Sequence, residues 1–140
     1  MLFRSRDEAL ERLDVMRQSS RIPAFELWTE HLQAWLERRR EAMLAGMPVL
    51  GALKIQDDPE AIFQEGWLLC DVGEYELGLG HLQRAVSKNY FVVGTLARSR
   101  QFDALRATPA FQTLLAKAEA GRSRVLAEFR EAGGERLLGT

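Results

Sequence analysis

The chain has 140 residues, 46% of them apolar and 28% charged, with 19 basic against 20 acidic side chains. That length and composition describe one soluble domain able to bury roughly two-thirds of its unfolded surface, and the net charge of −1 leaves no overall electrostatic footprint for DNA or RNA. Cys70 is the only cysteine, which excludes an internal disulfide and a cysteine-rich zinc site and fits a reducing, cytoplasmic compartment.

The chain opens on residues 1–4 and runs at once into charge, so no signal-peptide core is read there. A first helix is expected over 5–18, extending towards 20. Ser5 to Glu8 make a capping box, and Ala9, Leu10, Leu13 and Met16 supply the apolar stripe. Pro23 suits the first turn of a second helix, where its missing N–H costs nothing. Phe25, Trp28, Leu32, Trp35 and Leu36 follow at helical spacing, and Arg38, Arg39 and Arg40 read as its solvated basic end. A third helix is expected from 41 towards 53, with Pro48 kinking or ending it. The same stretch, residues 43–53, is the longest nearly uncharged run. Two glycines and a proline break it, and it is too short to span a bilayer.

Residues 58–87 carry the strongest signal, two short amphipathic helices joined by a tight turn. Asp58 and Pro59 start one helix, whose apolar and small residues Ile62, Phe63, Gly66, Trp67, Leu69 and Cys70 form two adjacent stripes. Gly73 ends it in a left-handed cap. The next helix runs over 74–87 with Leu77, Leu82, Ala85 and Val86 inward. Gly78 and Gly80 each cost about 1 kcal/mol in a helix interior, and close approach of the neighbouring helix is the expected compensation. Neither helix can bury its face alone, which is the physics of an α-solenoid.

A short helix is expected over 91–99, then a connector anchored by Phe102 and Leu105. Thr108 and Pro109 start a long last helix with Phe111, Leu114, Leu115, Ala118, Val125 and Phe129 along one side, stopping at Gly133 and Gly134. Gly121 and Arg122 interrupt that stripe, so its far half is expected to meet something different from its near half. The reading is all-α, and the only β-type run, residues 90–93, is too short for a sheet.

The helices over 58–88 resemble a tetratricopeptide repeat, through Gly66 in the first helix, Gly73 and Tyr75 at the turn, and Leu82 and Ala85 in the second. The chain departs from the family at Gly78, where alanine is usual, and at Tyr90, where proline is usual. Moving back one repeat of about 34 residues sets Trp28 over Ile62, Leu32 over Gly66 and Trp35 over Leu69, which makes 22–54 a degenerate earlier copy. Its second half aligns badly, because Pro48 falls where Leu82 sits. Residues 100–115 and 129–134 look like the C-terminal end of tetratricopeptide arrays in bacterial serine/threonine kinases and related signalling proteins. The resemblance covers most of 20–138. It implies a single α-solenoid domain of helical hairpins, with 5–20 an N-terminal helix and 91–133 capping helices closed by a long C-terminal one. The chain is read either as a natural small protein or as a fragment of a longer array.

That family implies protein–protein contact in signalling and carries no catalytic residue over to this chain. By the alignment, the first-helix face lining the repeat's groove holds Phe63, Trp67, Cys70 and Asp71, and the preceding copy offers Thr29, Gln33, Leu36 and Glu37. Such a groove favours an apolar or aromatic-anchored peptide and lacks the basic residues that clamp a terminal carboxylate. Trp67 is the leading candidate. Three states are open to it: an exposed groove, cover by the chain's own N-terminal or long C-terminal helix, or burial in a homodimer.

Chemistry finds no constellation. His31 and His81 lack metal-ligand spacing and read as surface or half-buried helix residues. Gly78 to His81 lack the strand and lysine of a phosphate loop, and Ser87 and Ser99 sit in no nucleophile elbow. Cys70 reads as a small hydrophobe, and Asp57 with Asp58 as a helix-capping pair. The expected function is therefore a non-catalytic protein-interaction module of a bacterial signalling assembly, with no cofactor, metal, nucleic acid or membrane partner. A structural cap or homodimerisation module is the alternative, and a small helical metal protein or enzyme the alternative of another class.

Overall fold

A computed structural model describes residues 5–19, 22–53 and 57–138. The opening residues 1–4, position 20 of the first expected helix and position 54 of the expected degenerate repeat lie outside the described residues. Among the described residues the structure is all-helical, with no strand. The elements are α1 (Arg6–Ser19), α2 (Pro23–Leu36), α3 (Arg40–Gly51), α4 (Pro59–Asp71), α5 (Tyr75–Ser87), α6 (Val93–Arg98) and α7 (Pro109–Glu131), with 3₁₀ turns at Arg100–Phe102 and Gly134–Leu138. The chain falls into two compact units, Met1–Asp58 and Pro59–Thr140. The boundary lies at the start of α4.

In the first unit, α2 packs on both α1 and α3. Ser5 accepts the Glu8 N–H at 3.2 Å, the serine half of the expected capping box. The α1 contact is apolar, with Ala9, Leu13 and Leu36 buried and Leu10, Leu32 and Trp35 packed against them. The face of α2 turned to α3 is different in kind. Gly46 of α3 lies against His31, which is 3% exposed and stacks on Trp28 with ring centroids 6.1 Å apart. The expected surface or half-buried His31 is thus fully buried, because a helix gripped on two sides must bury more than one stripe. Pro48 does not end α3, which runs on to Gly51.

Three helices end in the same way. The Gly73 N–H reaches the Cys70 carbonyl at 3.1 Å and the Glu74 N–H reaches Leu69 at 2.9 Å, a Schellman motif with Gly73 at φ +87°. Asn89 at φ +68° closes α5 by the same pair of bonds, with Tyr90 donating to Ala85 at 3.1 Å. Arg38 at φ +59° closes α2, with Arg39 donating to Ala34 at 2.8 Å. The three arginines therefore lie in the turn and at the start of α3, where the sequence reading put them at the end of α2.

In the second unit, α4 packs most extensively on α5, and a glycine on each helix sets their separation. A β-carbon on Gly78 would stand 2.5 Å from the Cys70 sulfur and 2.9 Å from the Gly66 carbonyl oxygen. One on Gly66 would meet the Gly78 carbonyl at 3.0 Å. Gly80 has nothing within 4 Å, so the close approach expected of both α5 glycines holds at Gly78 alone. Leu77 is exposed, contrary to its expected inward face.

The core of this unit gathers Ile62, Phe63, Leu82, Val86, Leu96, Phe102, Phe111 and Leu114. Phe102 and Leu105 are the buried anchors the connector needs, and Phe102 lies 5.6 Å from Phe111, ring to ring. Arg106 fastens the same connector by donating to the Leu96, Ala97 and Ser99 carbonyls. Thr108 accepts the Phe111 N–H at 3.3 Å and Pro109 opens α7.

Candidate functional site

The four candidate residues on α4 sit at different depths. Phe63 and Cys70 are core, with the Phe63 ring 5.5 Å from Tyr90 and 6.3 Å from Phe102. Burial pushes the Cys70 thiol up to about 12, so it stays protonated and unreactive at neutral pH. Trp67 and Asp71 are half-buried and polar-bonded. The Trp67 indole N–H donates to the Ser99 hydroxyl at 2.9 Å, Ser99 donates to Gln101 at 2.7 Å, and the Gln101 amide donates to Asp71 at 3.1 Å. The segment lying over this face is the connector between α6 and α7. Ser99 and Gln101 are 32 and 30 residues from the side chains they bond, a link that no local pattern announces.

The other four candidates, three on α2 and Glu37 just after it, belong to the other unit. Thr29 and Leu36 are buried, and the Thr29 hydroxyl donates to the Glu26 carbonyl at 2.8 Å. Gln33 is held between Arg17, which donates to it at 2.5 Å, and Glu37, to which it donates at 2.8 Å. Gln33 first, and Arg39 at 2.6 Å second, hold the exposed Glu37 carboxyl below the usual carboxylate range. Beside them a cavity of about 460 Å³ opens within the unit, lined by Arg17, Glu30, His31, Arg39, Ala42 and Val49 among others.

The second unit has a shallow, widely open groove of about 500 Å³ along α6 and α7, lined by Phe91, Val92, Val93, Thr95, Arg98 and Arg122 among others. Two glycines shape it. Gly121 is buried against the Phe91 ring, and a β-carbon there would overlap the ring. Gly94 leaves room for the Arg98 guanidinium, whose Nη2 would be 3.0 Å from an added β-carbon, and Arg98 Nε donates to the Gly94 carbonyl at 3.3 Å. The expected break in the α7 stripe at Gly121 and Arg122 is thus a packing site beside a lined groove.

Beyond that point α7 changes character. Phe111, Leu114, Ala118 and Gly121 are buried, whereas Val125, Leu126 and Phe129 are 46%, 38% and 37% exposed. At about 1.5 Å per residue the helix is some 34 Å long, and its outer turns carry apolar side chains outside the core. Phe129 folds back onto Gly134, where a β-carbon would overlap its ring.

Among the described residues no three His, Cys, Asp or Glu side chains gather where a metal ion could be held. No helix among them is long and apolar enough to cross a membrane. His81 is half-buried, with Nδ1 3.0 Å from the Leu77 carbonyl oxygen. No protein-family model, curated protein or solved structure matches the chain.

Proposed function

We propose that this protein is a non-catalytic protein-interaction module, built of tetratricopeptide-like hairpins in a solenoid arrangement and working in the cytoplasm within a bacterial signalling or regulatory assembly. The α4–α5 hairpin supports the repeat reading, since its helices close through Gly66 and Gly78 and turn at Gly73.

The observation that carries the interaction reading is the outer half of α7. Val125, Leu126 and Phe129 share one region of an exposed helix, and apolar side chains grouped in this way mark contact surfaces. Trp67 adds an aromatic edge beside the groove, joined to it through Ser99. Phe63 and Cys70 serve this reading as the packed support beneath.

The test is a photo-crosslinking amino acid at position 125 in cells expressing the protein. A discrete adduct with a different protein is the expected result. An adduct at twice the 15.9 kDa chain mass assigns the surface to self-association instead, and the absence of any adduct overturns the interaction reading for this face.

A further inference from the structure

We infer that the groove along α6 and α7 docks an acidic segment of a partner protein, with Arg98 and Arg122 taking its carboxylates and the outer face of α7 taking the apolar residues beside them. The inference deepens the interaction reading and rests on it.

Charge is the first argument. Two guanidiniums line one groove whose other walls are Phe91, Val92, Val93 and Thr95 among others, and none of its lining residues carries a carboxylate. The Arg122 side chain makes no hydrogen bond or ion pair among the described residues. Elsewhere on the surface arginines do find carboxylates nearby, as Arg106 does with Asp103 at 2.8 Å and Arg130 with Glu135 at 3.0 Å. A guanidinium presents its donors as a planar fork that fits a carboxylate with two parallel bonds.

Placement is the second. Arg98 is laid across α6 by its Nε bond to Gly94, over a backbone position where a side chain would crowd it. Its guanidinium lies over Gly94 at the lip of the groove, which it lines. Phe91, seated on Gly121, provides an apolar wall beside Arg122.

Continuity is the third. Residues three and seven positions on from Arg122 lie on its side of the helix, and these are Val125 and Phe129, both exposed. The surface thus presents two guanidiniums at one end, with Glu119 one turn before Arg122, and apolar side chains at the other. Its complement is a segment with acidic residues followed by apolar ones.

The experiment titrates the ¹⁵N-labelled full chain with the blocked peptide acetyl-Asp-Glu-Leu-Leu-Ala-Leu-amide. The Nε–Hε signals of Arg98 and Arg122 and the Gly94 amide are followed. Saturable movement of all three is expected, weakening as salt is raised. The Asn/Gln version of the peptide should bind about tenfold more weakly, and Arg122→Gln, which removes no internal bond, should cost about threefold, as exposed ion pairs do. Arg98→Lys, which keeps the charge and loses the fork, should fall between wild type and Arg98→Gln.

Equal binding of the acidic and amide peptides overturns the inference, as does movement confined to other residues. Response to inorganic phosphate with none to the peptide also overturns it, and makes the groove a phosphate site. A position-125 adduct that survives in the Arg98→Gln/Arg122→Gln double variant leaves the interaction reading intact and removes only the acidic groove from it.

Discussion

Hairpins α2–α3 and α4–α5 reverse direction through the same two hydrogen bonds, and between the helices they are built differently. The first turns on Arg38 and the second on Gly73, both in the left-handed region. Between α4 and α5 a β-carbon on Gly78 would press on the Cys70 sulfur at 2.5 Å and on the Gly66 carbonyl oxygen at 2.9 Å, so an added side chain forces something to shift. Between α2 and α3 the matching glycine, Gly46, has ordinary van der Waals room, its added β-carbon lying 3.6 Å from His31. A cavity of about 460 Å³ opens beside it. The turn motif fixes only the reversal of the chain. Separation is set by the residues at the crossing, and there the hairpins diverge.

Alanine at the crossing glycines tests this directly and gives the largest effects. Gly78→Ala must push α5 off Cys70 and the Gly66 carbonyl, and is expected to cost about 2 kcal/mol, lowering Tm by roughly 6 °C. Gly46→Ala should do the opposite, gaining about 0.5–1 kcal/mol of helix propensity with no clash. Gly80→Ala, on the opposite side of the same helix from Gly78, should gain as Gly46→Ala does. Thermal unfolding of the three variants decides it. If Gly78→Ala is as harmless as Gly80→Ala, the tight crossing does not exist.

Next in size is the polar cover on α4. Trp67→Phe keeps one aromatic ring but removes the pyrrole half of the indole with its donor to Ser99, at an expected cost of about 1–2 kcal/mol. Ser99→Ala should cost a similar amount, and a double-mutant cycle should show the two effects to be non-additive. Additive losses would mean that the connector is held by Phe102 and Arg106 alone.

The turns come after. Gly73→Ala puts a β-carbon at φ +87° and is expected to cost about 1 kcal/mol. Arg38→Gly relieves the same strain in the other hairpin and should stabilise by somewhat less, since glycine also loosens the unfolded chain. Equal and opposite shifts in denaturant midpoint would show that the two turns are interchangeable parts.

The helices themselves were legible from the residues that punctuate them. Pro23, Pro59 and Pro109 each open a helix, and Gly73 closes one. Arg38 was not legible as a turn residue, because an arginine in the left-handed region has no sequence signature. The polar burial of Thr29 and His31 was hidden for a related reason. The aromatic stripe from Phe25 to Trp35 dominates the pattern, and a second packed face made of threonine, histidine and alanine looks like surface. Gly78 and Gly80 were indistinguishable along the chain, since only the position of Gly66 on another helix separates their roles. The groove was the least legible part. Phe91 meets Gly121, and Trp67 meets Ser99, through contacts about 30 residues apart in sequence. Periodicity carries no information at that range.

Titration separates the hairpins at opposite ends of the pH scale. Cys70 in α4–α5 has a folded pKa raised by burial from 9.0 to about 12. The folded state therefore keeps its proton where the unfolded chain loses it. The stability linked to Cys70 is complete below pH 9 and is lost as pH rises from 9 towards 12. Glu37 at the end of α2 has a folded pKa lowered below 4.5, first by Gln33 and then by Arg39. Its contribution is complete above the unfolded value and is lost as pH falls through the folded one. The carboxylate is exposed, so this acid effect is the smaller of the two. Cys70→Ala should flatten the alkaline limb of the stability curve and leave the acid limb unchanged, while Glu37→Gln should do the reverse, weakly. A Glu37→Gln variant whose acid limb matches wild type would show that the Gln33–Glu37–Arg39 chain orders the turn without stabilising it. The first hairpin's reversal would then rest on its backbone bonds and on Arg38 alone.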